Sequence, residues 1–287
     1  MANPMRTIGF IGLGVLGKGL GLALATRGYP VVAIHSRTRS SAHWLADRIP
    51  KCQVLESAQE LANAVDLVFI TTPDSAISEV ASSITWRPDQ GAVHCSGALP
   101  VSILHPAFQQ SVAIGSFHPF QTFACLKTPE EAMERLKGIT FSIEGQSWLL
   151  DTLEKIASHL GGSSIVVKPE DRAIYHASAV MSCGYLVALV KAAADVWQSM
   201  GVPQEEALPK ILPLAKSTLG NLSRAGVDAS LTGPIMRGDT TTLRRHLEAL
   251  ESRIPRLIPL YCALSMEFIP LAGDSVSKEK LEEMEHM

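Results

Sequence analysis

Gly12, Gly14 and Gly17 stand at the G-x-G-x-x-G spacing within Ile8-Gly9-Phe10-Ile11-Gly12-Leu13-Gly14-Val15-Leu16-Gly17. Each glycine has a task in that pattern: a tight turn, the approach of a pyrophosphate to the backbone, and close packing of helix on strand. A helix opening at about Leu13 offers unpaired N–H groups, those of Val15 and Leu16 among them, and a positive dipole end to phosphates. The same residues nearly match a P-loop, since Gly12, Gly17 and Lys18 fit G-x-x-x-x-G-K. Gly19, however, stands where a Ser or Thr must hold magnesium. The second apolar run, Val31 to His35, ends in Ser36-Arg37-Thr38-Arg39. An NAD site wants a carboxylate there; a guanidinium instead binds a ribose 2′-phosphate through charge-assisted hydrogen bonds. The pattern favours NADP(H) over NAD(H), and over coenzyme F420. The chemistry is then hydride transfer, or the sensing of a redox cofactor.

Three further groups could move protons or hold a substrate. In His94-Cys95-Ser96-Gly97, the Ser96 hydroxyl or the backbone at Gly97 could meet nicotinamide or substrate. Cys95 reads as a small buried residue, because nothing nearby in sequence would lower its pKa. In Gly115-Ser116-Phe117-His118-Pro119-Phe120-Gln121, His118 leaves a strand beside Gln121 and could give a proton to a carbonyl oxygen as hydride arrives. Lys168 precedes a long helix, Tyr175 and His176 lie in its first turns, and His176 and Lys168 join His118 as candidate acids. His176, Val180 and Gly184, spaced by four, share one face of that helix. Arg237, in the turn-rich loop Leu231–Asp239, could pair with a substrate carboxylate in bidentate fashion, or with Asp239. The five cysteines (52, 95, 125, 183, 262) show no metal-ligand spacing, so no metal is expected.

The elements that must position these residues alternate in the first half. Apolar runs at 7–11, 31–35, 66–71, 91–95, 112–117, 139–143 and 164–167 are separated in part by helical patterns such as 40–49 and 57–64. This predicts an α/β domain with a mostly parallel sheet. A ligand belongs beyond the carboxyl ends of its strands, where Thr71-Thr72-Pro73-Asp74, Ser96-Gly97-Ala98 and His118-Pro119 converge. From Lys168 onward the patterns are helical: 170–200 as one long helix, then 204–225, 239–252 and 254–272, with a charged, frayed tail from Lys278. The long helix is nearly uncharged from Ala177 to Val190, which predicts burial inside a helical domain or against a second subunit. The division is 1–167, a nucleotide-binding domain, and 168–287, a helical domain.

At 287 residues, with 46% hydrophobic and 18% charged residues, the chain can build a large core. A net charge of −3 without a basic stripe gives nucleic-acid binding no support. Residues 8–25 imitate a signal peptide, but Lys18 interrupts the run and no cleavage signature follows. Neither leader nor membrane span is expected, and reduced thiols suit a cytoplasmic protein.

The chain resembles the Rossmann-like/DUF2520 family, in the superfamily of 6-phosphogluconate dehydrogenase, ketopantoate reductase and pyrroline-5-carboxylate reductase. The resemblance runs from about 5 to 270. It rests on Gly12 to Gly17, Ser96-Gly97-Ala98-Leu99, Ser116 to Phe123, Tyr175-His176-Ala177 and Leu231 to Asp239. The His118-Pro119 step is also similar to one in prephenate dehydrogenases, where the histidine meets the substrate hydroxyl. The resemblance implies an NADP-binding Rossmann domain, an all-α C-terminal domain, a homodimer formed through its helices, and a small-molecule substrate. Where ketopantoate-type reductases carry a Lys and two Asn, this chain has His176, Val180 and Gly184. The activity expected is reduction of a carboxylate-bearing carbonyl compound such as a 2-oxo acid. Cyclic-imine reduction, prephenate-type dehydrogenation and a non-catalytic NADP(H) sensor are the alternatives.

Overall fold

The computed structural model describes residues 5–287. The chain divides into two compact units, Met1–Cys183 and Gly184–Met287.

The first unit is built on eight strands numbered in chain order: β1 (Ile8–Ile11), β2 (Val31–His35), β3 (Gln53–Val54), β4 (Leu67–Ile70), β5 (Gly91–His94), β6 (Ala113–Pro119), β7 (Thr140–Glu144) and β8 (Ser163–Val166). They form one sheet in the order β3-β2-β1-β4-β5-β6-β7-β8. Every neighbouring pair is parallel except β6 with β7. The predicted runs all appear as strands; β3 is an addition. The chain winds outward in both directions from β1 and β4, which opens a crevice at their carboxyl ends.

The helices of this unit are α1 (Val15–Thr26), α2 (Arg39–Ala46), α3 (Ala58–Ala64), α4 (Asp74–Ser82), α5 (His105–Phe108), α6 (Pro129–Arg135), α7 (Trp148–His159) and α8 (Arg172–Val180). They cover two apolar clusters on opposite sheet faces. In one, Phe10 stacks on Phe69 at 5.2 Å between centroids, and Phe117 on Phe141 at 4.5 Å. All four are fully buried, each stabilising the fold by about 2 kcal/mol through the area it removes from water. Gly19 is a contact residue: a Cβ there would lie 2.6 Å from the Ala132 Cβ, so α1 and α6 meet backbone to backbone. The position that denies a P-loop its hydroxyl is thus occupied by a packing glycine.

The stretch predicted as one helix over 170–200 is interrupted. A π turn, Met181–Tyr185, separates α8 from α9 (Leu186–Ser199), and the boundary between the compact units falls within it. The wider turn breaks the spacing by four that would put Gly184 on the face of His176 and Val180. The expected burial is not seen in the single chain. Ile174, Met181, Tyr185 and Val187 are all more than 60% exposed, because nothing within their own units covers them. By length and composition alone 169–199 could cross a membrane. Ionic contacts nevertheless tie it to each unit: Arg172 is buried in the first, and in the second Asp195 binds Lys191 at 2.6 Å and Arg256 at 2.7 Å.

The second unit continues with α10 (Gln204–Ala225), α11 (Thr240–Arg253), α12 (Ile258–Ala272) and α13 (Lys278–Glu285). The tail expected to fray is α13. Met284 and the partly buried Leu281, three residues apart, pack with Ile235, Leu243, Ile269 and Val276, which holds it in place.

Candidate functional site

Several helices close their own N-termini. Ser57 accepts from Glu60 N in α3, Thr128 from Glu131 N in α6, and Asp239 from Thr242 N in α11. Helix α1 does not: Gly14 precedes it without a side-chain cap, and no acidic residue stands in its first turn. Its free N–H groups border a cavity of about 760 Å³ at the carboxyl ends of β1, β2, β4 and β5. Gly12, at φ +89°, makes the turn; a Cβ there would lie 2.7 Å from the Thr72 methyl. Gly17 leaves room for the hydroxyl of Thr71, which donates to the Gly12 carbonyl. Gly14 has open space where a Cβ would stand, and the buried Thr72 hydroxyl has no protein partner. An open backbone, an uncapped dipole and an orphaned hydroxyl fit a pyrophosphate.

Most of the residues expected to hold the nucleotide line this cavity: Gly12, Gly14, Val15, Leu16, Ser36, Arg37, Thr38, Thr71, Thr72, Pro73 and Ser96. Gly17 acts from beneath, by packing. Arg39 departs from expectation. From the start of α2 it pairs with Glu56, just after β3, and faces a separate small pocket. Arg37 remains on the cavity at the end of β2.

Beyond the cavity, the sheet changes character. Ala92 and Ile114 belong to one apolar cluster, but the next residues on that face are polar. His94 lies opposite Ser116, and Ser116 opposite Glu144; one step on, His118 lies opposite Ser142. The alternate residues Val93, Phe117 and Ile143 point into the other core. Helix α8 closes over this polar face. Its first residue, Arg172, is 2% exposed; it donates to the Ser116 hydroxyl and lies 3.7 Å from the Glu144 carboxylate. One turn later, the Tyr175 hydroxyl shares a 2.8 Å hydrogen bond with His118 Nδ1. The other face of that imidazole rests on Gly97, where a Cβ would lie 2.6 Å from Nε2.

The proton states follow from burial and charge. Burial, the Arg172 guanidinium and His176 hold His118 down to about 4. Burial and Arg172 hold His94 to about 3. Burial raises the Tyr175 phenol and pushes the Cys95 thiol up to about 12, so Cys95 is the inert residue the sequence suggests. Burial also raises Glu144, against the opposing pull of Arg172. His94 and His118 are thus neutral in the folded chain and take up protons on unfolding below about pH 6.5. The unfolded state binds more protons there, so stability is complete above that pH and falls as pH drops toward 4 for His118 and 3 for His94. Urea titrations should show a loss of about 3 kcal/mol between pH 6.5 and 5. A constant stability over that interval would mean that neither histidine is held neutral.

Other expected site residues stand differently. The Ser96 hydroxyl is engaged: it donates to Asp74 at 2.7 Å and accepts from the N–H groups of Ala98 and Leu99. It shapes the loop under the cavity and is not free for a ligand. Gln121 is exposed and accepts from Thr122 N. Lys168 is exposed ahead of α8 and does not join the His118 group, whereas His176 lies close enough to depress it. Arg237 is exposed in the second unit beside Asp239, whose carboxyl is lowered by Thr242 hydrogen bonds and by Arg237. Among the described residues no cluster could hold a metal ion. Sequence reasoning missed Arg172 and Glu144, and placed Asp74 at the cofactor edge without its tie to Ser96. The only signal was the alternation of polar residues at the ends of β5, β6 and β7.

A doubly wound sheet whose first helix is left uncapped over a crevice defines a Rossmann-like domain. The chain carries a Rossmann-like domain, matched over residues 1–119, and the domain of unknown function DUF2520, matched over residues 139–268. It is similar to a Bacteroides fragilis protein assigned as an NADP oxidoreductase (27% identity, 92% of this chain and 98% of that one, TM-score 0.69). A Thermotoga maritima protein is similar at 27% identity over 97% and 98% of the two chains, with a TM-score of 0.72. The 1-pyrroline-5-carboxylate reductase of Streptococcus pyogenes shares the fold at 17% identity, over 98% and 99%, with a TM-score of 0.62. No curated protein sequence matches the chain.

Proposed function

We propose that the protein is an NADPH-dependent reductase of a small carbonyl compound bearing a carboxylate, with 2-oxo acids of the ketopantoate kind as the leading candidates. One observation carries this reading. Ser96 closes the nucleotide cavity, and the next residue, Gly97, supports the imidazole that shares a hydrogen bond with Tyr175. A proton-handling pair thus lies one residue from where a nicotinamide would end. The Bacteroides fragilis relative, assigned as an NADP oxidoreductase, agrees with this.

Bound NADPH supplies hydride to the substrate carbon. The chain must then deliver one proton to the oxygen that takes up the negative charge. Tyr175 carries that proton as a neutral phenol. His118, neutral above about pH 4, holds the hydroxyl through Nδ1 at rest; the O–H turns to the substrate oxygen as charge develops there, and the phenolate left behind regains its proton from solvent. His176, on the next position of α8, is one of the groups that hold His118 down. The exposed apolar residues of α8, α9 and α10 support a homodimer through these helices.

The test is NADPH fluorescence against a panel of 2-oxo acids and cyclic imines, with NADP+ for prephenate, and light scattering on the same preparation. Oxidation of NADPH with a 2-oxo acid, and twice the chain mass, are expected. Turnover only with imines moves the substrate class. Saturable binding without turnover across the panel replaces the reductase with a nucleotide sensor. A mass of one chain overturns the dimer.

A further inference from the structure

We propose that Arg172 is a positioning residue: its buried guanidinium, anchored on Ser116 and Glu144, sets His118 as a neutral acceptor for the Tyr175 hydroxyl. Only the use made of that proton rests on the reductase reading; the arrangement itself does not.

The geometry is unusual for an arginine at the start of a helix. Its neighbours Glu170 and Asp171 are exposed, but Arg172 turns inward and is 2% exposed. Two of its nitrogens, Nε and Nη1, are buried without protein partners. Its Nη2 donates to Ser116, which lies two residues before His118 on the same face of β6. Arg172 and Tyr175 are three residues apart and share one face of α8. The guanidinium therefore fixes both partners of the hydrogen bond, His118 through the strand and Tyr175 through the helix.

A cation so placed also selects the proton state. In a desolvated setting a second positive charge beside it is strongly disfavoured. The groups facing His118 are Arg172, Tyr175 and His176 from α8 and His94 from β5, with Glu144 of β7 reaching it only through Arg172. Among the described residues no carboxylate stands against His118 to favour the imidazolium. Glu144 keeps the arginine in place at 3.7 Å without cancelling its effect on the imidazole. An alternative role for Arg172, direct capture of a substrate anion, is opposed by the burial of its nitrogens, which leaves a ligand no route to them.

The experiment follows the His118 ring by NMR in the full chain, with its signals assigned by loss in His118→Gln. In the wild type at pH 7 the ring should be neutral with the proton on Nε2 and Nδ1 accepting. A ring protonated on Nδ1, or charged, overturns the proposal without any variant. In Arg172→Gln and Arg172→Met the titration midpoint should rise by about one unit or more, a tenfold change in proton affinity. Arg172→Lys, which keeps the charge, should restore most of the wild-type midpoint. An unchanged midpoint in either neutral variant, folded by circular dichroism, overturns the proposal. Turnover is not needed for any of these readings. A shifted midpoint in a protein that reduces nothing would sink the reductase and leave the positioning role standing.

Discussion

Arg37→Asp is expected to raise the dissociation constant for NADPH by about 100-fold while changing that for NADH by less than about threefold. Arg37 lines the nucleotide cavity at the end of β2 together with Ser36 and Thr38. The acids that line it, Asp74 and Glu79, stand on α4 and not on that strand. A guanidinium on a phosphate contributes on the order of 2 kcal/mol at a partly exposed site. A carboxylate in its place adds repulsion that acts only on the nucleotide with the extra phosphate. The effect should shrink with added salt, because the arginine is exposed. Arg39→Ala is the internal control: its side chain is already paired with Glu56, so NADPH binding should barely move. Fluorescence titration with both nucleotides decides. Equal losses for NADPH and NADH would remove the 2′-phosphate from Arg37.

Tyr175→Phe is expected to lower turnover by about 10² to 10³ while leaving the NADPH dissociation constant within about twofold. The substitution removes one oxygen atom and keeps the ring that tilts against Phe120 at 5.5 Å. Tyr175 is not among the residues that line the nucleotide cavity, which separates a chemical loss from a binding loss. The pH profile carries independent information. An ordinary histidine at His118 would make activity change near pH 6.5. Held to about 4, it stays neutral through that range, so the rate should be flat from pH 7 down to about 5. It should fall only when an imidazolium forms and can no longer accept from Tyr175. Stopped-flow loss of NADPH absorbance across that range, with and without the hydroxyl, measures both effects. Full turnover in the phenylalanine variant would return the proton to another group.

The nucleotide half was legible because its signals are local. A tight turn needs Gly12, a close helix needs Gly17, and β-leaning apolar runs mark the strands whatever they pack against. Strand β3 was not, because two residues, Gln53 and Val54, show no periodicity. The antiparallel entry of β7 is likewise silent in an apolar run. The reactive face was half legible: His118 stood out by type, but its partner state did not. Arg172 follows Glu170 and Asp171 and reads as one more solvated charge. Only the docking of α8 on β6 and β7 takes it out of water. The engagement of Ser96 depends on Asp74, 22 residues earlier, and a distant partner leaves no mark on local sequence. The charged tail misled through composition, although Leu281 and Met284 carried the helical spacing that holds it.

The alternation along β7 also makes misassembly self-defeating. A slip of one residue against β6 would turn Glu144 and Ser142 into the phenylalanine core and lift Phe141 and Ile143 onto the face beneath Arg172. The guanidinium would lose its Glu144 neighbour while an unpaired carboxylate entered hydrocarbon. Each error costs several kcal/mol and neither can relieve the other. A chain that is stably folded is therefore already one in which His118 and Tyr175 can meet. The groups most expensive to bury act as a proofreading device on the assembly of the sheet that displays them.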